Sequence, residues 1–176
     1  QAIENGWSRP VLVHQIDSKL HLRQGQATTN FQQTLPPLIS GLAQQILKDP
    51  YHFDFLSLGT DIRERNVERA LVTRVKDFLM EMGKGFAFIG SQHHIELGGQ
   101  DFYVDLLFYH RRLRCLIAVD LKTGAFQPEH AGKMNLYLAA LDDFERMPDD
   151  NPSIGLILCR ERNRVVVEYS LRNTKT

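Results

Sequence analysis

Apolar residues recur along this chain with two spacings, and the change from one to the other predicts the order of helices and strands. Apolar positions three or four residues apart predict helices, and short apolar runs bounded by turn residues predict buried strands. The spacing predicts helices over 9–23, 38–48, 60–82 and 128–144, and strands over 85–97, 102–109, 113–122, 154–159 and 164–169. From residue 60 onwards the predicted order is helix, three strands, helix and strand, with a further strand, which is typical of an α/β fold.

The helix predicted over 60–82 carries an acid on its apolar side. Asp61 and Glu64 have the spacing of a capping box, and Gly83 is placed as the C-cap. Glu68 falls inside the apolar arc of the helical wheel, where a carboxylate is costly unless something pairs with it. Two interpretations of Glu68 stay open: a residue at the edge of the stripe that reaches water or an arginine, or a functional acid. Glu64, one turn earlier, competes for the second role, although its spacing favours capping.

Charged residues also interrupt both strands of the central predicted hairpin. Asp105 lies within the first apolar run, and Asp120 and Lys122 lie near the end of the second. Aspartate is disfavoured in strands and is rarely buried without a partner. These three residues therefore need an explanation beyond packing.

The register of the hairpin decides whether the three charges meet. A turn of two residues over 111–112, or of four over 110–113, sets Asp105 opposite Ala118 and puts all three charged side chains on one face. Asp120 is then a diagonal neighbour of Asp105, roughly 7 to 8 Å away between Cα atoms. One divalent cation with carboxylate oxygens at about 2.0 to 2.6 Å can bridge that span. A three-residue turn would place Asp105 on the opposite face.

Composition narrows the class of protein. The chain has 176 residues, which suits one domain with a fragment of another, and 21 basic residues balance 21 acidic ones. Without an overall basic field, any binding of nucleic acid has to come from local clusters. Cys115 and Cys159 lack metal-binding spacing, and no apolar run reaches membrane-spanning length. We therefore expect a cytoplasmic protein with reduced thiols and no membrane partner.

Arginines form such local clusters. The clusters are Arg63, Arg65, Arg69 and Arg74; Arg111, Arg112 and Arg114; and Arg160, Arg162 and Arg164. Arginines in these positions can contact the phosphates of a nucleic-acid backbone without reading its sequence. The alternative is that they keep helices and turns soluble, which we favour for the second and third clusters.

An aspartate followed one hairpin later by an acid-x-lysine triplet resembles the PD-(D/E)xK nuclease superfamily. Asp105 is the first acid, and Asp120-Leu121-Lys122 is the triplet. Longer segments resemble the YhcG-type family of that superfamily along nearly the whole chain. These segments are GWSRPVLVHQI at 6–16, TNFQQTLP at 29–36, DPYHFDFL at 49–56, NVERALV at 66–72, FYVDLLFYHRRLRCLIAVDLKTG at 102–124 and GKMNLYLAALDD at 132–143.

The resemblance implies a restriction-endonuclease-like αβββαβ core with a mixed central sheet. It also implies that residues 1–50 are the C-terminal part of an N-terminal helical region and that residues 51–176 form the nuclease domain. In this superfamily an acid on the first core helix often belongs to the metal site. The resemblance therefore favours the functional interpretation of Glu68.

The resemblance further implies a catalytic set of Glu68, Asp105, Asp120 and Lys122. Asp105, Asp120 and the backbone carbonyl of Leu121 would hold Mg²⁺ or Mn²⁺, and Glu68 would complete the metal shell directly or through water. Asp120 stands where many relatives in the superfamily have glutamate, and a metal site tolerates this shorter reach.

Some branches of the superfamily place a glutamine and a tyrosine on the helix after the triplet. Lys133 and Tyr137 have that spacing here, without the glutamine. We therefore treat both as candidate nucleic-acid contacts. The other candidate contacts are Arg63, Arg65, Arg69, Arg111 and Arg112.

The resemblance implies a metal-dependent nuclease that hydrolyses phosphodiester bonds of DNA, namely an endodeoxyribonuclease of repair, recombination or defence against foreign DNA. Many nucleases of this fold act as homodimers because two strands must be cut. The alternative is a catalytically silent module of the same fold that binds nucleic acid or protein without cutting. The intact pair of acids and the lysine favour the enzyme.

Overall fold

The computed structural model describes residues 7–49, 51 and 63–171. In chain order the elements are α1 (Arg9–Asp17), α2 (Leu20–Arg23), α3 (Phe31–Thr34), α4 (Pro37–Ile46), α5 (Glu64–Thr73), α6 (Val75–Met82), β1 (Phe86–Leu97), β2 (Gln100–His110), β3 (Cys115–Ala125), α7 (Pro128–Phe144), β4 (Ile154–Glu161) and α8 (Arg164–Leu171). Within these residues, no helix combines the length and the apolar character that a membrane crossing requires.

The four strands of the described residues form one sheet in the order β1-β2-β3-β4. β1 pairs with β2, and β2 with β3, in antiparallel fashion, whereas β3 and β4 are parallel. A parallel pair needs a long crossover connection, and α7 supplies it between β3 and β4. The predicted αβββαβ core with a mixed sheet is therefore confirmed.

Apolar side chains cover both faces of this sheet. One face packs with α5 and α6 through residues such as Phe78 and Phe108, and the other packs against α7 through Leu107 and Leu141. Because β3 is buried on both faces, its sequence is a nearly continuous apolar run. Asp120 lies inside that run and is only 1 % exposed.

The helices before residue 50 pack on the same core as the sheet. Phe31, Leu35, Ala43 and Leu47 are buried in one cluster with the side chains of α5, α6 and the strands. The helical character expected for the first fifty residues agrees with α1 to α4. The domain division at residue 50 stays a prediction.

A buried ion cluster attaches the first helices to α6. The carboxylate of Glu81, which has no exposed surface, lies 2.7 Å from Arg23 Nη1 and 3.2 Å from His14 Nε2. Lys48 Nζ lies 3.9 Å from the same carboxylate and donates to the backbone carbonyl of Glu81. Burial lowers the pKa of Lys48 to about 8, although the negative charge of Glu81 raises it. A buried carboxylate without such partners would be strongly destabilising.

Two predicted helices are each divided in two. The helix predicted over 9–23 breaks at Lys19, where φ is 50°, and the helix predicted over 60–82 breaks at Arg74, where φ is −109° and ψ is 39°. Gly83 follows α6 with φ of 109°, as predicted for a C-cap glycine. The predicted capping partner Asp61 lies outside the described residues.

The strand predicted over 164–169 is wrong, because these residues form α8. A run of β-branched residues indicated a strand, but Asn163 Oδ1 accepts the N–H of Val165 at 3.0 Å and so caps a helix. Arg164 and Glu168 pair at 2.8 Å across one helical turn. Within α8 only Val167 is buried, so one helical face packs on the protein.

Candidate active site

The turn between β2 and β3 differs from the prediction. Residues 111–114 connect the strands, and Leu107 lies opposite Ala118. The predicted register, with Asp105 opposite Ala118, is therefore wrong by two residues. Continued past the last paired residues, the observed register brings Asp105 directly opposite Asp120.

His110 holds the turn in this register. Its ring is buried, and Nδ1 accepts the N–H of Leu113 at 3.1 Å, while the His110 carbonyl accepts the N–H of Arg114 at 2.7 Å. Leu113 is also buried, so the turn folds inward on the core, whereas the apolar pattern placed Leu113 in the strand. Burial lowers the pKa of His110 to about 4 and keeps the ring neutral at physiological pH.

Along β2, the regular alternation of side chains between the two faces of the sheet is interrupted near Asp105. Val104 and Leu107 pack on the α7 face of the sheet, whereas Leu106 packs on the opposite face. Regular alternation would put Val104 and Leu106 on the same face. The carboxylate of Asp105 reaches across to β3, where Oδ2 accepts the N–H of Leu121 at 2.7 Å. Asp105 therefore lies at an irregular point of β2, and the predicted convergence of the three charges on one face stays a prediction.

Asp120 faces an ammonium group on each side. Oδ2 lies 2.8 Å from Lys122 Nζ, and Oδ1 lies 3.6 Å from Lys133 Nζ. Both oxygens are buried, and neither accepts a hydrogen bond of good geometry from the described residues. A buried charge without hydrogen bonds is costly, so the two lysine charges balance Asp120 by electrostatic attraction.

Lys122 connects the triplet to the first core helix. Nζ donates to the backbone carbonyl of Leu121 at 2.9 Å and lies 3.7 Å from Glu64 Oε2. Glu64 is the first residue of α5 and is half-exposed, so this contact lies near solvent. The sequence left Glu64 open as a functional acid but favoured capping, whereas the structure shows this contact with Lys122.

Glu68 is buried on α5, with 8 % of its surface exposed. Its Oε2 accepts a hydrogen bond from Gln92 Nε2 at 2.6 Å. Burial raises the pKa of Glu68, the hydrogen bond from Gln92 lowers it, and the negative charge of Asp105 raises it. The hydrogen-bond partner of Glu68 is thus an amide, whereas the non-functional interpretation expected water or an arginine.

The pKa of Asp105 is raised as well. Burial is the main cause, the hydrogen bond from the Leu121 N–H opposes it, and the negative charge of Asp120 adds to it. Several acids therefore lie close enough to disfavour each other's charge, and positive charge among them is stabilising.

Lys133 and Tyr137 lie one turn apart on α7 and contact each other. Lys133 Nζ is 5.2 Å from the centre of the buried Tyr137 ring. Burial lowers the pKa of Lys133, but hydrogen bonding to Tyr137 and the charges of Asp120 and Asp105 outweigh it, so the pKa is raised. The side chain is 44 % exposed, so its ammonium also faces solvent.

The candidate arginines fall into two places. Arg63, Arg65 and Arg69 are exposed on or beside α5, and the charges of Arg65 and Arg69 act on Glu68. Arg111 and Arg112 lie in the turn, beyond the end of β2, and β2 continues for five residues after Asp105, which is roughly 16 Å at the rise of a strand. The structure thus keeps the α5 arginines near the acids and separates the turn arginines from them.

Gln92 is the contact that sequence reasoning missed. It lies in a predicted strand, and the polar run 90–94 is the only unusual feature of its sequence context. Its contact with Glu68 depends on a tertiary arrangement that no local pattern predicts.

The oxygen atoms of the site suit a hard divalent cation. The carboxylates of Asp105 and Asp120 and the carbonyl of Leu121 are the ligand types that Mg²⁺ and Mn²⁺ prefer. The specific observation that fits such a cation is that the buried oxygens of Asp120 accept no hydrogen bond of good geometry within the part of the chain that the structure describes. Among residues 7–49, 51 and 63–171, no three His, Cys, Asp or Glu side chains are grouped tightly enough to form a site on their own. Waters would therefore have to supply several ligands, as Mg²⁺ commonly allows.

Comparisons with known proteins show which family the chain resembles. A family described as "YhcG PDDEXK nuclease domain" matches residues 44–176. The chain is 39% identical over 174 residues to "Putative nuclease YhcG" of Escherichia coli (strain K12). That alignment covers 97% of this chain and 46% of the relative, so the chain spans about half the length of the curated relative it matches.

Among solved structures, a repair endonuclease from Pyrococcus abyssi is similar, with 15% identity and a TM-score of 0.44. The match covers 66% of this chain and 48% of that one. PD-(D/E)xK nucleases generally use divalent metal ions. From its match to the family over most of its length, the chain belongs to the YhcG family of PD-(D/E)xK nuclease domains.

Proposed function

We propose that this domain hydrolyses phosphodiester bonds of DNA with Mg²⁺ or Mn²⁺ held by Asp105, Asp120 and the backbone carbonyl of Leu121. The observation that carries the proposal is the buried carboxylate of Asp120, whose oxygens face two ammonium groups without accepting a hydrogen bond of good geometry from the described residues. A carboxylate in that position is costly for folding, and a role as a cation ligand explains it.

The bound cation would supply a water of lowered pKa and neutralise charge on the phosphate. Lys122, whose Nζ lies 2.8 Å from Asp120 Oδ2, would orient the attacking water or stabilise charge that develops on the phosphate oxygens. Glu68 would complete the set from α5, where Gln92 holds its carboxylate. Asp105 is oriented by the N–H of Leu121, the residue whose carbonyl would bind the same cation.

The DNA backbone would lie across α5 and the start of α7. Arg63, Arg65 and Arg69 are exposed beside Glu68, and Lys133 is exposed beside Asp120. Contacts of this kind fix the position of a phosphate backbone without reading its sequence. Arg111 and Arg112, at the distant turn, would contact DNA only away from the scissile bond. A homodimer would allow both strands of a duplex to be cut.

Cleavage of DNA by the protein and three variants tests this proposal. With Mg²⁺, Asp120→Asn and Lys122→Met should each lower the rate by roughly 100- to 1,000-fold. Asp120→Asn removes a charged ligand of the cation, and Lys122→Met removes the charge that would act on the attacking water or the phosphate. Asp143→Asn, an exposed acid on the far part of α7, is the matched control and should cleave like the wild type.

Linear, nicked and four-way DNA substrates, each with Mg²⁺ and with Mn²⁺, would define the preferred substrate. Undiminished cleavage by Asp120→Asn or Lys122→Met would refute the assignment of the site. A wild type that binds DNA and Mg²⁺ but does not cut would support the silent binding module instead.

A further inference from the structure

Gln92 has an unusual backbone for a residue in the middle of a strand. Its φ is 50°, in the left-handed region, although it lies inside β1. Among the described residues, the other non-glycine positions with positive φ are Lys19 and Arg114, and both lie between elements. The left-handed conformation is unfavourable for residues with a Cβ atom and persists where the surrounding structure imposes it.

The same position interrupts the ladder between β1 and β2. Ser91 pairs with Leu106 and His93 pairs with Val104, but Gln92 and Asp105, which face each other between these pairs, are not themselves paired in the described sheet. Leu106 and Val104 pack on opposite faces of the sheet. Between these two pairs, the side chains of both strands therefore switch from one face of the sheet to the other.

Gln92 and Asp105, the two residues that are not paired, each make a contact with a different part of the site. Asp105 turns its carboxylate to the N–H of Leu121, and Gln92 turns its amide to Glu68 at 2.6 Å. Gln92 is exposed, so its side chain adds little packing to the core. Because the amide is neutral, it orients Glu68 without adding a positive charge that would compete with a cation.

We infer that Gln92 is a positioning residue, whose left-handed backbone aims its amide at Glu68 and fixes that carboxylate beside Asp105. The inference rests on the proposed nuclease function of the same site. The strained backbone serves the geometry of the acids at the expense of local stability. Replacement by glycine separates the two effects, because glycine adopts positive φ freely and has no amide to offer.

The test compares the Gln92→Gly protein with the wild type. We expect a melting temperature equal to that of the wild type or about 1 to 3 °C higher, because strain is relieved. We also expect kcat for DNA cleavage to fall roughly 10- to 100-fold with little change in KM, and Mg²⁺ affinity measured by calorimetry to fall a few-fold. Lys19→Gly, at the same φ between α1 and α2, should show the same thermal gain with unchanged cleavage and Mg²⁺ affinity.

A Glu68→Gln background shows whether Gln92 acts through Glu68. There, adding Gln92→Gly should change kcat less than two-fold, since the carboxylate it positions is gone. A full additional loss in that background, or a melting temperature several degrees below the wild type, would overturn the inference in favour of a structural role. Cleavage and Mg²⁺ affinity equal to those of the wild type would also overturn it.

Failure of the proposed function gives a different result. A wild type that does not cut DNA refutes the nuclease assignment. The role of Gln92 is then tested only by comparing Mg²⁺ binding to the wild type and to Gln92→Gly. Weaker Mg²⁺ binding by Gln92→Gly would still support positioning of Glu68, whereas equal binding would contradict it.

Discussion

Asp120 is a carboxylate buried in the middle of an apolar strand, with an ammonium group facing each of its oxygens. Buried carboxylates are ordinarily held by hydrogen bonds as well as by opposite charge. Here the described residues supply charge alone. Because Lys122 and Lys133 have long side chains with several rotatable bonds, a cation can take the place of one ammonium without disrupting a hydrogen-bond network.

At the same scale, Lys133 is expected to contact DNA and not to take part in the chemistry. Lys133→Gln should keep most of the cleavage rate and weaken binding to DNA roughly 5- to 10-fold, because one phosphate contact is lost. Fluorescence anisotropy across a range of salt concentrations should show a slope of log K against log salt smaller by about 1. Lys76→Gln, an exposed lysine on α6, is the control and should keep the slope. An unchanged slope for Lys133→Gln would remove it from the interface.

At the scale of elements, the irregular point of β1 and β2 at Gln92 and Asp105 shapes the candidate site. The turn after β2 fixes the register between β2 and β3. Residues 111–114 form that turn because His110 binds the N–H of Leu113 and both side chains are buried. A change of one residue in the register would reverse the faces of the strand residues. The neutral ring of His110 is therefore a condition for placing Asp105 opposite Asp120.

Acid should destabilise the protein through His110. The pKa of the folded ring is lowered to about 4 by burial, from an ordinary value of 6.5, so the unfolded chain binds the proton more tightly. The stability that this ring contributes is present above pH 6.5 and is lost as pH falls toward 4, by about 3 kcal/mol in total. Urea unfolding at several pH values should show this loss, and His110→Gln should show a shallower dependence. An equally steep dependence in the variant would contradict the role of the ring.

Elements with long, regular periods were predictable from the sequence. α7 was predicted over 128–144 and occupies Pro128–Phe144. The turn and α8 were not, because the burial of Leu113 and the cap by Asn163 depend on single side-chain contacts that compete with the local pattern. Apolar or β-branched residues at those places fit a strand equally well.

The site was predictable where charge interrupts an apolar run. Asp105, Asp120 and Lys122 could be identified in this way, since a buried strand has no packing reason for charge. The contact of Gln92 could not, because an amide in a polar run is ordinary in sequence, and Glu64 could be named only as a competitor of Glu68, without its contact to Lys122. Their importance arises only when α5 packs beside the break in the sheet.

At the scale of the whole molecule, the helices before residue 50 share one core with the nuclease sheet and are tied to α6 by Glu81. Four groups from three parts of the chain meet there: Glu81, Arg23, His14 and Lys48. A buried pair of this kind contributes little net stability over an apolar contact, but loss of one partner leaves a buried charge.

Arg23→Met should therefore destabilise the protein by about 3 kcal/mol. Urea unfolding followed by circular dichroism measures the loss, and hydrogen exchange should become faster in α1 and α2 before it does so in β3. Arg164→Met is the control, because Arg164 pairs with Glu168 at the surface and its side chain is 81% exposed. This substitution should change the free energy of unfolding by less than about 1 kcal/mol. Equal effects of the two substitutions would argue against a buried anchor.

Calorimetric titration of Mg²⁺ into the wild type and Asp120→Asn tests the central claim most directly, because asparagine keeps the size of the side chain and removes its charge. We predict saturable binding to the wild type and an affinity lower by about 10-fold or more in the variant. Circular dichroism should show that both proteins are equally folded. The same affinity in both proteins, or no binding to the wild type, would contradict the claim that Asp120 is a cation ligand.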